Sequence, residues 1–175
     1  MFSFVSLDRM AEREAAKNPI FRERTAGRAR RSGAVPLDDD ALVARLQEHG
    51  ISMDRDTLRT MIEHALSAEE IAKPILKSRR YKSREEELQA EWIWVCIEAL
   101  WHRWIPEIPS FEMLDDKMQA GYDLTPADPV GACRVWMEAL GDFNALMARS
   151  GLQTLKAFDG RFQGTQYVHN WLSDL

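Results

Sequence analysis

The sequence predicts an all-α protein, a bundle of antiparallel helical hairpins of the tetratricopeptide or HEAT kind around a central tryptophan-rich helix, with a flexible basic arm at its N-terminus. The first observation is residues 88–105, LQAEWIWVCIEALWHRWI, which hold four of the six tryptophans and are apolar on almost every face of a helical wheel. A helix of that kind belongs at the centre of a bundle, because a surface helix confines its apolar residues to one stripe. The second is the frequency of helix-capping signals along the chain, and the third is that no segment alternates convincingly with period two, so strands are absent or trivial.

In order along the chain, residues 8–17 can form one short helix, stopped by Asn18 and Pro19, and the following RERTAGRARRSGAVP has no apolar period. Residues 1–36 are therefore expected to be a mobile arm. Asp38, Asp39 and Asp40 supply an N-cap and favourable charge for a helix over 41–49, with Gly50 as its C-terminal cap. Asp54 caps the next helix, whose Leu58, Met61, Ile62, Ala65 and Leu66 fall on one face. Ser67 and Glu70 form a capping box for a third helix that Pro74 must kink or end. These three helices make a unit over 37–76.

Residues 77–175 are expected to be a helical-hairpin core packed with that unit, so that 37–175 is one domain. A basic connector, KSRRYKSR at 77–84, leads to a second capping box at Ser83 and Glu86, and acidic Glu85, Glu86 and Glu87 favour the first turn of the tryptophan-rich helix. Pro106 and Pro109 stop it. Ser110 caps a shorter helix with Met113, Leu114 and Met118 inward and Tyr122 near its end. Asp128 and Pro129 start a long helix that places Val130, Cys133, Trp136, Met137, Leu140, Phe143 and Met147 on one face, and Gly151 closes it. Two short terminal helices, 152–162 and 165–172, are anchored by Leu155, Phe158, Phe162, Val168, Trp171 and Leu172.

WVCIEAL at 94–100 resembles RVWMEAL at 134–140, an offset of forty residues. Helical repeats recur over about 34 to 47 residues. Only one pair matches, which two amphipathic helices can share by chance; the hairpin reading holds either way.

A chain of 175 residues buries a core without a disulfide or metal staple. Cys96 and Cys133 lie in apolar helical patterns without zinc-ligand spacing, so reduced thiols and no metal are expected, and with them a cytoplasmic location. MFSFVSL is too short for a secretory core, and Glu91, Glu98 and Arg103 interrupt the tryptophan-rich run before about 20 apolar residues accumulate. A membrane span is not expected. The formal net charge is −5, yet between residues 9 and 31 eight basic residues face three glutamates, giving a basic arm on an acidic body.

Catalytic signals are sparse. His49, His64, His102 and His169 belong to no HExxH or His-x-His arrangement, and a structural or capping role is expected for His102 and His169. The Asp38–Asp40 and Glu85–Glu87 runs sit at helix starts, where solvated caps explain them, and Asp115 and Asp116 lie on a helix with inward methionines. Gly160 and Gly164 make neither phosphate-binding fingerprint. No catalytic residue and no cofactor are assigned. Treating Gly50 as the turn of a helix-turn-helix puts Asp54, Asp56 and Glu63 on the reading face, so sequence-specific DNA recognition is poor; backbone binding through basic residues stays open.

The runs EWIWVCIEALWHRWIPEIPSFEMLDD at 91–116, ADPVGACRVWMEAL at 127–140 and FDGRFQGTQYVHNWLSDL at 158–175 resemble the helical region of bacterial SEC-C-type proteins, over about half the chain. That family pairs tetratricopeptide-like helices with a cysteine-rich, zinc-chelating tail. The zinc-chelating motif is missing here, so the resemblance implies helical hairpins but carries over no metal ligand, and it leaves a short form or a fragment open. The expected function is a non-catalytic adaptor that binds another protein, with Trp101, Trp104 and Trp171 as interface anchors. The alternative is a nucleic-acid-associated protein contacting phosphates through Arg24, Arg28, Arg30, Arg31, Arg79 and Arg80.

Overall fold

Eight helices and no strand occur among the described residues of the computed structural model, which are 37–83, 86, 89–162 and 164–175. The expected arm, 1–36, lies outside them. A single compact unit spans Asp39–Leu175. The helices are α1 (Asp39–Glu48), α2 (Arg55–Ile62), α3 (Ala68–Lys77), α4 (Trp92–Trp104), α5 (Phe111–Leu124), α6 (Pro129–Ser150), α7 (Leu155–Arg161) and α8 (Val168–Asp174).

Most helix ends follow from single polar residues. The Asp54 side chain accepts from Thr57 N, Ser67 from Glu70 N, Ser110 from Met113 N, Asp128 from Gly131 N and Thr154 from Ala157 N. Each cap of this type stabilises its helix by about 1 kcal/mol. Gly50 and Gly151 both adopt φ +67°, the left-handed conformation in which a glycine ends a helix without steric cost. Pro74 neither kinks α3 to a stop nor starts a new element: the helix runs through it to Lys77. Pro74 is exposed, so the hydrogen bond it cannot make is lost on the solvent side, and the helix continues for one more turn.

α4 packs against α1, α2 and α3. Its Ile93, Cys96, Ile97, Leu100 and Trp101 meet a core supplied by Leu42, Leu46, Leu58, Ile62, Ile71 and Ala72, all buried. The Trp101 indole is satisfied there, donating to Ile108 O at 2.8 Å. A second core lies beyond it. α5 packs on α6 and α7 on α8, enclosing Phe111, Leu114, Met118, Ala139, Phe143, Leu146, Phe158, Phe162, Val168 and Trp171. Four phenylalanines form its centre, with Phe111 stacked on Phe162 at 4.9 Å and Phe158 edge-on to Phe143 at 5.2 Å. The tryptophan-rich helix thus organises the α1–α4 half, while a separate aromatic cluster organises the rest.

α6 is rotated from its expected face. The buried line is Ala132, Ala139, Phe143 and Leu146, with Trp136, Leu140 and Met147 partly covered, whereas Val130, Cys133 and Met137 face outward. Gly121 on α5 explains the rotation. Trp136 lies so close over it that an added Cβ would stand 1.9 Å from the indole nitrogen, and that nitrogen donates to Met118 O at 3.1 Å. Small residues at 132 and 139 let α5 approach on the same side.

Candidate functional site

Three polar side chains that are buried or largely so resemble, by residue type, catalytic groups. Each is committed to backbone. Glu112 receives Ala68 N and Glu69 N, both at 3.1 Å, and the Trp94 indole at 3.4 Å, and so caps α3 from α5. Burial pushes its carboxyl above the ordinary glutamate value, against the downward pull of those amides and the indole. Asp115 accepts from Thr165 N at 2.7 Å and Thr165 Oγ1 at 2.8 Å. Asp159 accepts from Val168 N at 2.8 Å and lies 2.6 Å from His169 Nδ1. Gly164 belongs to the same construction, because a Cβ there would stand 2.5 Å from Asp115 Oδ1.

A guanidinium completes this framework. Arg149, near the end of α6, donates to Pro109 O at 3.0 Å and to Ile62 O and Ala65 O at 2.9 Å each, tying α6 to the end of α2 and the turn that follows it. Arg161 reaches Glu70 at 2.8 Å, and Glu70 accepts from Leu66 N at 2.8 Å. The glutamate of the expected capping box therefore bonds one residue before the cap. These groups hold the 62–70 turn between the two cores.

The residues singled out from sequence are scattered rather than gathered into one site. Trp101 and Trp171 are fully buried; as placed, neither ring offers surface to a partner, because each fills its own core. Trp104 is half-buried, its indole donating to Asp39 Oδ2 at 2.6 Å. That bond and Arg103, 3.0 Å away, hold the Asp39 carboxyl below its ordinary value. Arg24, Arg28, Arg30 and Arg31 lie outside the described residues. Arg79 folds back to donate to His49 O, whereas Arg80 is exposed. Lys77 and Lys82 beside it are exposed too. Among the described residues no group of three or more His, Cys, Asp or Glu side chains is placed to hold a metal ion.

Two exposed features remain. The first is the outward stripe of α6, with Val130 62% and Met137 60% exposed and Cys133 between them at helical spacing. The second is the exposed cationic run of Lys77, Arg80 and Lys82. Sequence reasoning placed the α6 stripe inside; the signal that could have corrected it was Gly121, the single glycine of the facing helix, over which the Trp136 indole lies. Comparison with known proteins finds no matching family model, no matching curated protein and no matching solved structure. The likeness to SEC-C-type proteins rests on the sequence runs alone.

Proposed function

We propose that this chain is a non-catalytic helical protein-interaction module, its helices stacked as hairpins in the manner of tetratricopeptide or HEAT repeats, and that it acts in the cytoplasm. The outward α6 stripe carries the reading. Val130 and Met137 are exposed to 62% and 60% on a helix whose opposite face is fully used, and large apolar side chains left together at a surface mark contact sites. The commitment of Glu112, Asp115 and Arg149 to backbone groups supports a scaffold in preference to a reaction centre. Of the three tryptophans expected as anchors, Trp104 remains the candidate, because it alone of them is only partly covered. No helix of the described residues is long and apolar enough to cross a membrane.

The test is affinity capture followed by reconstitution with the purified partner. The double variant Val130→Ser, Met137→Ser should weaken that complex by at least tenfold, the equivalent of about 1.4 kcal/mol, with helicity and thermal midpoint retained. Recovery of chaperones alone, or unchanged affinity of the double variant, would overturn the reading. Trp104→Ala tests the second anchor in the same assay.

A nucleic-acid-associated role is the second reading, favoured by Lys77, Arg80 and Lys82, which are all exposed. Phosphate contacts would make affinity fall steeply with salt. Gel-shift titrations at two salt concentrations separate the readings, and no shift at low salt removes this one.

A further inference from the structure

His169 stands on the loop-anchored start of α8, its side chain 53% exposed, with Nδ1 2.6 Å from the Asp159 carboxylate, whose own side chain is 9% exposed. Three neighbouring contacts leave the pair little freedom. The second Asp159 oxygen is held by Val168 N at 2.8 Å, Thr165 is fixed from both its backbone and its hydroxyl by Asp115, and the imidazole stacks on Tyr167 at 5.5 Å and 19°. A carboxylate oxygen accepts and cannot donate, so Nδ1 carries a proton, and in the neutral ring Nε2 presents its lone pair. Among the described residues no hydrogen bond reaches Nε2. The chain thus holds one imidazole in a fixed tautomer, polarised from behind and open to solvent in front.

We propose that His169 is a phosphoryl-accepting residue, with Nε2 as nucleophile and Asp159 as the group that orients and polarises it. No serine, threonine or cysteine is hydrogen-bonded to the ring among the described residues, so the reacting atom is the imidazole nitrogen itself and not a hydroxyl it deprotonates. In the transfer, the Nε2 lone pair attacks phosphorus and an N–P bond forms. The bond from phosphorus to the donor's leaving atom breaks, and that atom departs with the electron pair. The ring keeps its Nδ1 proton, and the imidazolium charge so created is balanced by Asp159 behind it and by the phosphoryl oxygens in front. An acyl group at the same nitrogen would be lost to water, since neutral imidazole is a good leaving group from an acylimidazolium; a phosphoryl group retains the anionic charge that opposes the cation.

Phosphoramidate is the probe, a small phosphoryl donor whose leaving group is ammonia. His64 and His102 are also exposed, so exposure alone predicts that all three histidines react alike. The proposal predicts instead that His169 reacts several-fold faster than His64 or His102, giving an acid-labile product substituted at Nε2 only. Asp159→Asn supplies the decisive arm. The asparagine oxygen can still accept from Val168 N while its amide donates to Nδ1, which moves the ring proton to Nε2 and removes the lone pair from the outside, a tautomer reversal that disables imidazole chemistry with little change in geometry. That variant should lose both the rate advantage and the Nε2 selectivity. Mapping by mass spectrometry and phosphorus NMR that finds His169 no faster than the other two, or finds it equally reactive in a folded Asp159→Asn protein, overturns the proposal.

Discussion

Burial pushes the Cys96 thiol up to about 11, so near neutral pH it holds almost no thiolate, the form that reacts. Cys133, on the outer side of α6, is exposed. A disulfide reagent added to the native protein should therefore label one thiol per chain quickly and the second only when denaturant is present. Peptide mapping should place the fast label on Cys133; fast native labelling of Cys96 would mean that the α1–α4 core opens far more readily than its packing implies. Glu112 makes a residue-scale statement about pH. Because its folded-state value lies above the ordinary one, the stability linked to it is fully present below about pH 4.5 and is lost as the pH rises through the raised native value. Glu112→Gln keeps the shape without the charge. As pH is raised from acid toward neutrality, the urea midpoint of the wild type should fall relative to that of the variant, and a constant difference between them would remove the argument.

At the scale of the element, most helix starts were legible in the sequence, whereas the run of α3 through Pro74 and the rotations of the helices were not. A cap is a local event: Asp54, Ser67, Ser110 and Asp128 act on amides three residues away, so spacing alone identifies them. Which face of α6 turns inward depends on Gly121, on another helix, and on how closely Trp136 can approach it. The apolar pattern of α6 allows more than one face, and only the partner chooses. Glu112, Asp115 and Arg149 were obscure for the same reason, since their backbone partners lie between 40 and 87 residues away in the sequence. Gly121→Ala tests the explanation directly. Its methyl would collide with a ring held on both sides, and overpacking of this kind costs about 1–3 kcal/mol. A lowered thermal midpoint is expected, together with altered emission from Trp136. Adding Trp136→Leu should recover part of the loss, whereas equal stability of Gly121→Ala and the wild type would show that α5 and α6 are not in close register there.

For the whole molecule the question is why two cores, one around α4 and one around the phenylalanine cluster, form a single unit. They meet at the 62–70 turn. Leu66 belongs to the second core although it follows α2, and its carbonyl accepts from Phe111 N at 2.8 Å. Glu112 crosses from α5 to the amides that begin α3, Arg149 from α6 to the carbonyls that end α2, and Arg161 from α7 to Glu70. The Arg149 guanidinium bonds contribute about 1.5–3 kcal/mol each and those to the buried Glu112 carboxyl about 0.5–1.5 kcal/mol, and removing either partner leaves backbone groups unsatisfied; the more exposed Arg161–Glu70 pair contributes about 0–1 kcal/mol. That is sufficient to couple two small cores whose separate stabilities are marginal. The wild type should therefore unfold in one transition, with circular dichroism and tryptophan emission giving coincident curves. Either Glu112→Ala or Arg149→Ala should lower the midpoint while keeping the transition single, because the other crossing remains. The double variant should separate it: hydrogen exchange would find α5–α8 amides and α1–α4 amides opening with different free energies, as independent cooperative units do. If the double variant still unfolds with coincident probes and uniform exchange, the coupling resides in the apolar contacts of Leu66 and Phe111 and not in the charged crossings.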